Sequence, residues 1–221
     1  MSVTNELTVK KRRSKGERTK HLILESAIAI LAKQGIKGAT HRAIASHANI
    51  QLSLTTYYFK DIQELVQQAF ELNSANVINE VTDLWQPTLD LVDKYSKADL
   101  RRVSVRGELR EKIANLLVKM ITDNAANNRQ QLIVEQQLFS EIQVTSALSL
   151  IAKQHYLAQL QPCLQLCQYF TQDGVAVNAE ILLSQIQQVT YRQLLAENNE
   201  NIDRLADVIR QILAIVIRLK P

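Results

Sequence analysis

Apolar residues in this chain recur at steps of three and four, and no stretch sustains the two-residue alternation of a strand bounded by turn residues. Leu22, Ile23, Ala27, Ile30 and Leu31 make such a stripe, and Gly35 follows it as a C-terminal stop, so the pattern predicts a first helix from about Arg18 to Gln34. Thr40 stands where a side chain can accept a backbone N–H, which predicts a second, short helix reaching Ala48 with Ile44, Ala45 and Ala48 turned inward. Asn49 falls where the chain must turn, and Asn tolerates left-handed backbone better than most residues. Ile50 then plugs the core from the turn, and a third short helix is predicted over Leu52 to Tyr58, ahead of Phe59. Asp61 and Glu64, three positions apart, resemble a capping box that opens a fourth helix. Two short helices about a tight turn are a helix-turn-helix.

The remainder reads as longer helices, at about 61–85, 87–99, 103–123, 128–150, 152–172, 177–197 and 201–219. Pro87 suits the first turn of a helix, whereas Pro162 lies inside a helical pattern that it should kink or split. With only five glycines and three prolines, and no strand pattern, the fold class is all-α. The last helix has the best-defined stripe, through Ile202, Leu205, Ile209, Ile212, Val216 and Leu219, with Val208, Leu213 and Ile215 widening it. A face that broad needs two partners: the preceding helix, with Leu182, Leu183, Ile186, Val189 and Leu194, and a symmetry mate. The expected dimer interface is therefore Leu182, Ile186, Val189, Ile209, Ile212 and Val216.

Charge adds direction to this picture. Of 26 Lys and Arg residues, Lys10, Lys11, Arg12, Arg13, Lys15, Arg18 and Lys20 fall within eleven positions, and no acidic residue occurs from Ser26 through Lys60. That segment can approach a polyanion without repulsion. The chain has no apolar run long enough for a membrane helix and no signal-peptide pattern at its start, so a cytoplasmic location is expected. Cys163 and Cys167 stack on one helix face without a second pair to complete a zinc site and are expected to be reduced core residues. No Glu-x-x-His pair occurs, so neither catalysis nor a cofactor is expected.

The stretch from Ala48 to Phe59, reading A-N-I-Q-L-S-L-T-T-Y-Y-F, resembles the signature of the TetR family of transcriptional regulators, especially the variant A-G-V-P-L-G-S-T-T-Y-Y-F. Gly35, Thr40, Arg42, Ile44 and Ala45 also fit, and the resemblance covers about residues 18–66. It implies a basic flexible arm at 1–17, a three-helix DNA-binding domain at 18–66, and a helical ligand-binding and dimerisation domain at 67–221. Asn49, Gln51 and Ser53 depart from the usual residues, and Ile62 stands where the family commonly has a phosphate-contacting lysine, for which Lys60 substitutes.

A recognition helix offers polar side chains near its start to base edges while its flanks grip phosphates. On that basis Gln51 and Ser53 read bases and Leu52 or Leu54 meets a thymine methyl, while Thr56, Tyr57, Tyr58 and Lys60 hold phosphates. Arg42 reaches a phosphate or a guanine, Tyr58 and Phe59 are read as core before contact, and His41 and His47 lie on the helix surface or near phosphate. The resemblance further implies a repressor that binds a pseudo-palindromic operator as a homodimer and answers to a small-molecule effector. Trp85, Tyr95, Arg110, Gln137, His155, Tyr156, Cys163 and Tyr169 are the candidate pocket residues. The rival expectation is a DNA-associated protein of this fold that acts mainly through a protein partner.

Overall fold

The computed structural model describes residues 3–140, 146–195 and 202–219, with side chains from Lys15 onward. The side chains of Lys10, Lys11, Arg12 and Arg13, central to the expected arm, lie outside the described residues. Among the described residues all regular structure is helical: α1 (Val3–Gly38), α2 (His41–His47), α3 (Leu52–Tyr58), α4 (Ile62–Asp93), a 3₁₀ turn (Asp99–Arg101), α5 (Val103–Asn127), α6 (Arg129–Ser140), α7 (Ser146–Phe170), α8 (Val175–Gln193) and α9 (Ile202–Val216). No described helix is long and apolar enough to cross a membrane. The chain divides into two units, Met1–Ala75 with Ile133–Ala152, and Asn76–Leu132 with Lys153–Pro221.

The first unit is built on the buried face of α1, where Ile23, Ala27, Ile30 and Leu31 meet Ile44 of α2, Phe59, and Leu65, Ala69 and Phe70 of α4. Val134 and Leu138 of α6 and Leu148 and Ile151 of α7 complete this core, although the sequence division places them with the second domain. Leu22, expected on the inner stripe, is 42% exposed. The helical course of α1 is interrupted at Gly35, whose φ of 69° lies in the left-handed region that favours glycine, where the sequence predicts the stop. At its other end the backbone is helical from Val3 rather than from Arg18. The segment in between is rich in Lys, Arg and Glu and holds no proline, which favours helix, although it also includes Gly16 and several β-branched residues.

In the second unit one core joins Leu109, Ile113, Leu117 and Ile121 of α5 to Leu182, Ile186 and Val189 of α8 and to Leu205, Ile209, Leu213 and Val216 of α9. Trp85 and Val92 of α4 and Cys163, Leu166 and Cys167 of α7 close it. Both thiols are free, and burial pushes Cys167 up to about 11 and Cys163 higher still, as befits inert core residues.

Two expectations are corrected here. Pro87 does not begin a helix and Pro162 does not split one; both lie inside continuous helices. Each proline is flanked by residues committed to the same core, Trp85 and Val92 in one case and Leu160, Cys163 and Leu166 in the other. Burying a large apolar side chain is worth ~1.5–3 kcal/mol, so two or three such anchors offset the ~3 kcal/mol cost of an interior proline. The residues expected at a dimer interface lie mostly inside the single chain. Leu182, Ile186, Val189, Ile209 and Val216 are at most 7% exposed within the single chain, and Ile212 is half-buried, so this set is largely consumed by the chain's own core. What α8 and α9 leave outside are Val177, Ile181, Ile202 and Ile215, with Leu195 just beyond α8.

Candidate nucleic-acid interface

The site is assembled by three local devices, each written in short-range sequence. Thr40 begins α2 with extended backbone, and its Oγ1 accepts the Ala43 N–H at 3.1 Å. At the other end Asn49, at φ 51°, turns the chain while its N–H donates to the Ser46 carbonyl at 3.2 Å and the Ile50 N–H reaches back to Ala45 at 3.0 Å. These two bonds, five-to-two and six-to-one, make a Schellman motif, with Ile50 packed against the core as its apolar residue. The third device is behind α3. The Asp61 carboxylate accepts the Glu64 N–H at 2.8 Å, and the Glu64 carboxylate accepts the Lys60 N–H at 2.8 Å, so the residue after Phe59 is fixed by the first turn of α4.

Between these devices α3 has one buried edge and one open one. Thr55 and Phe59 are fully buried, and the Thr55 hydroxyl is spent on the Leu52 carbonyl at 2.8 Å. Gln51, Leu52, Ser53, Thr56, Tyr57 and Lys60 are exposed, as is Arg42 on α2, while Tyr58 is half-buried and stacks edge-on to Tyr57 at 5.0 Å between ring centroids. Gln51 occupies the N-cap position of α3, yet its side chain makes no capping bond, which leaves the amide free to meet a partner. Tyr57 is 78% exposed, an unusual placing for an aromatic ring on a folded domain. Tyr58 turns its edge toward α1, where a Cβ at Gly16 would sit 3.4 Å from its hydroxyl. Lys20 of α1 lies 5.6 Å over the Phe59 ring, bringing a positive charge to the end of α3.

The eight residues expected to hold DNA thus divide cleanly. Seven are exposed on α2, α3 or the residues beside α3, and Tyr58 shares its ring with the core. His47 is exposed as expected, but His41 is half-buried, with an Nδ1 that has no hydrogen-bond partner among the described residues. Lys20 and Gly16 had no signal in the sequence as neighbours of α3, because their proximity depends on how α1 crosses it.

Of the eight candidate effector residues, Trp85, Tyr95, Tyr156, Cys163 and Tyr169 lie in or against the core of the second unit. Gln137 belongs to the first unit, where its Nε2 donates to the Leu31 carbonyl at 2.9 Å. Trp85 and Cys163 are packed into the second core, with Tyr95 and Tyr156 partly buried against it. Arg110 is paired with Glu111 at 2.8 Å. His155 is fully buried and 3.0 Å from the Gln159 amide nitrogen, whose oxygen accepts from Gln187 at 2.6 Å. Tyr169 lines an open cleft, beside Asp93, whose carboxylate accepts its hydroxyl. No group of His, Cys, Asp or Glu among the described residues is placed to hold a metal ion.

Residues 23–69 match the family described as bacterial regulatory proteins, tetR family. No curated protein matches the chain. Among solved structures, a member of the TetR family from Streptomyces coelicolor is 16% identical with a TM-score of 0.59, covering 88% of this chain and 97% of its own. The fatty acid degradation regulator FadR from Bacillus halodurans is 16% identical with a TM-score of 0.60, covering 88% of this chain and 94% of its own. The multidrug binding protein EbrR, complexed with malachite green, is 15% identical with a TM-score of 0.56, covering 87% of this chain and 96% of its own. At these identities the likeness is one of fold. Residues 23–69, which hold the helix-turn-helix, thus resemble the TetR family of bacterial regulatory proteins, and the chain shares the all-helical fold of these solved structures.

Proposed function

We propose that the chain is a transcriptional repressor that works in the cytoplasm, binds a pseudo-palindromic operator as a homodimer, and leaves it when a small-molecule effector binds. The observation that carries this reading is the open edge of α3, where an uncapped Gln51 amide, Leu52 and Ser53 stand exposed at the helix start and Tyr57 and Lys60 at its end. Gln51 and Ser53 read base edges in the major groove and Leu52 meets a thymine methyl; Thr56, Tyr57, Tyr58, Lys60 and Arg42 hold the backbone. The Thr56 hydroxyl is bonded to the Ser53 carbonyl at 3.2 Å, which orients it but leaves its oxygen able to accept or relay a further bond.

A dimer is needed because one seven-residue helix reads too few bases for specificity. Its interface is carried by the outward residues of α8 and α9, Val177, Ile181, Ile202 and Ile215, in place of those the core has taken. An effector is supported by analogy with two proteins of this fold, the multidrug binding protein and the fatty acid degradation regulator.

Selection of bound sites from random DNA tests the reading. The expected consensus is a pseudo-palindrome with half-sites about one helical turn apart. Gln51→Ala should relax one symmetric pair of positions, at ~1–3 kcal/mol against the best site, whereas Lys60→Ala should weaken all sites alike. An asymmetric consensus, or a Gln51→Ala profile of unchanged shape, overturns the assignment.

A further inference from the structure

In the second unit a cleft of about 930 Å³ opens among the end of α4, the 3₁₀ turn, the start of α5, the end of α7 and the residues after α9. That volume falls within the ~300–1,000 Å³ of small-molecule sites. Its lining brings together Lys97, Arg101, Arg106 and Arg218 against two carboxylates, Asp93 and Asp173. Asp93 already accepts the Tyr169 hydroxyl. Among the described residues none of the four cations has a carboxylate partner.

Two of the arginines are held in place at a cost. Arg106 is half-buried and spends its guanidinium on neutral acceptors, the Leu100 carbonyl at 2.5 Å and the Ile217 carbonyl at 3.2 Å, so its direction is fixed while its charge stays uncompensated. Arg218 sits at φ 52° as the left-handed residue of a second Schellman motif, closed by Leu219 N–H to Ala214 at 2.9 Å and Arg218 N–H to Ile215 at 3.2 Å. Glycine or asparagine fills that position with less strain, and an arginine there aims a guanidinium that also donates to the Asp173 carbonyl at 3.2 Å. Gln86, Gln165, Gln168 and Thr171 add neutral hydrogen-bonding groups. Concentrated, unpaired positive charge beside neutral polar side chains is what a hydrophilic anion requires.

We propose that this cleft binds a small hydroxylated anion bearing carboxylate or phosphate groups, and that this anion is the effector; the second clause rests on the effector-responsive reading above. The cleft touches α4 at Gln86, Leu89 and Asp93, and α4 is the helix whose first turn fixes the residue after α3. Occupancy at one end of α4 therefore has a continuous element through which to bias the other.

The full-length protein is titrated with citrate and with glycerol 3-phosphate by calorimetry, with glycerol as the neutral control. The single tryptophan, Trp85, adjoins Gln86 of the lining and serves as a second reporter. At least one anion should bind, glycerol should not, and Lys97→Ala with Arg101→Ala, both exposed positions, should weaken binding by about tenfold or more. Arg218→Gly should weaken binding without lowering the melting temperature, which separates a lost ligand contact from a lost fold. Absence of binding by both anions at millimolar concentration, or affinity unchanged in the Lys97/Arg101 variant, overturns the site. Binding that leaves operator affinity unaltered overturns the effector role alone. A protein that binds the anion yet selects no DNA consensus overturns the repressor reading and leaves the anion site standing.

Discussion

The turn between α2 and α3 sets the angle at which the reading helix leaves the domain, and it depends on one residue, Asn49, at φ 51°. Valine at this position puts a β-branched side chain into a region that costs an L-residue roughly 1–2 kcal/mol, more than Asn, whose short amide eases local bonding. Glycine removes the strain altogether but adds freedom to the unfolded chain, a term of about 0.4–1 kcal/mol that nearly cancels the gain. Asn49→Val should therefore destabilise the turn by about 1–2 kcal/mol while Asn49→Gly changes it little. Trp85 lies in the other unit's core, so its fluorescence does not follow this domain, and the appropriate readout is native-state exchange of the Ile50 amide, which bonds Ala45 across the turn. At a factor of ten for every 1.4 kcal/mol, its exchange should accelerate roughly 5- to 30-fold in the valine variant. Protection unchanged in Asn49→Val, or lost in Asn49→Gly, would refute the left-handed turn as the element holding α3.

Three further outcomes follow from named contacts. Thr40→Ala deletes the bond from the Ala43 N–H and should cost ~1 kcal/mol, visible as a lower urea midpoint by circular dichroism; an unmoved midpoint would show the cap to be idle. Ile215→Glu, on the exposed side of α9, should give a folded monomer in sedimentation, whereas Ile209→Glu buries a carboxylate in the core and should unfold the second unit; a dimer that survives Ile215→Glu misplaces the interface. The hydrogen bond to Asp93 raises the Tyr169 phenol to about 12 from an ordinary 10, so its stabilisation is complete below pH 10 and is lost as pH rises through about 12. Tyr169→Phe should accordingly lose less stability than the parent across that window, and identical pH profiles would exclude the pair.

The sequence alone determined the elements whose causes are local. The stop at Gly35, the cap at Thr40, the left-handed turn at Asn49, the span Leu52–Tyr58 and the Asp61/Glu64 start of α4 each depend on backbone sterics or on a hydrogen bond between residues at most five apart, and each is found where the residue types require it. The exposed edge of α3 was legible for the same reason, since a seven-residue helix with Thr55 and Phe59 inward leaves few alternatives for Gln51, Ser53 and Thr56.

Everything that depends on which faces meet was decided only by the tertiary structure. An apolar stripe reports that a face is buried but not against what, and so Leu182, Ile209 and Val216 suited a partner subunit as well as α5, which is where they pack. Pro87 and Pro162 suggested a boundary and a break, and the core on both sides of each overrode a local preference worth ~3 kcal/mol. The cleft cations were invisible for a related reason. Lys97, Arg101, Arg106 and Arg218 are ordinary surface charges in sequence, and only the return of the chain end to the start of α5, where Arg106 reaches the Ile217 carbonyl, converges them on one volume.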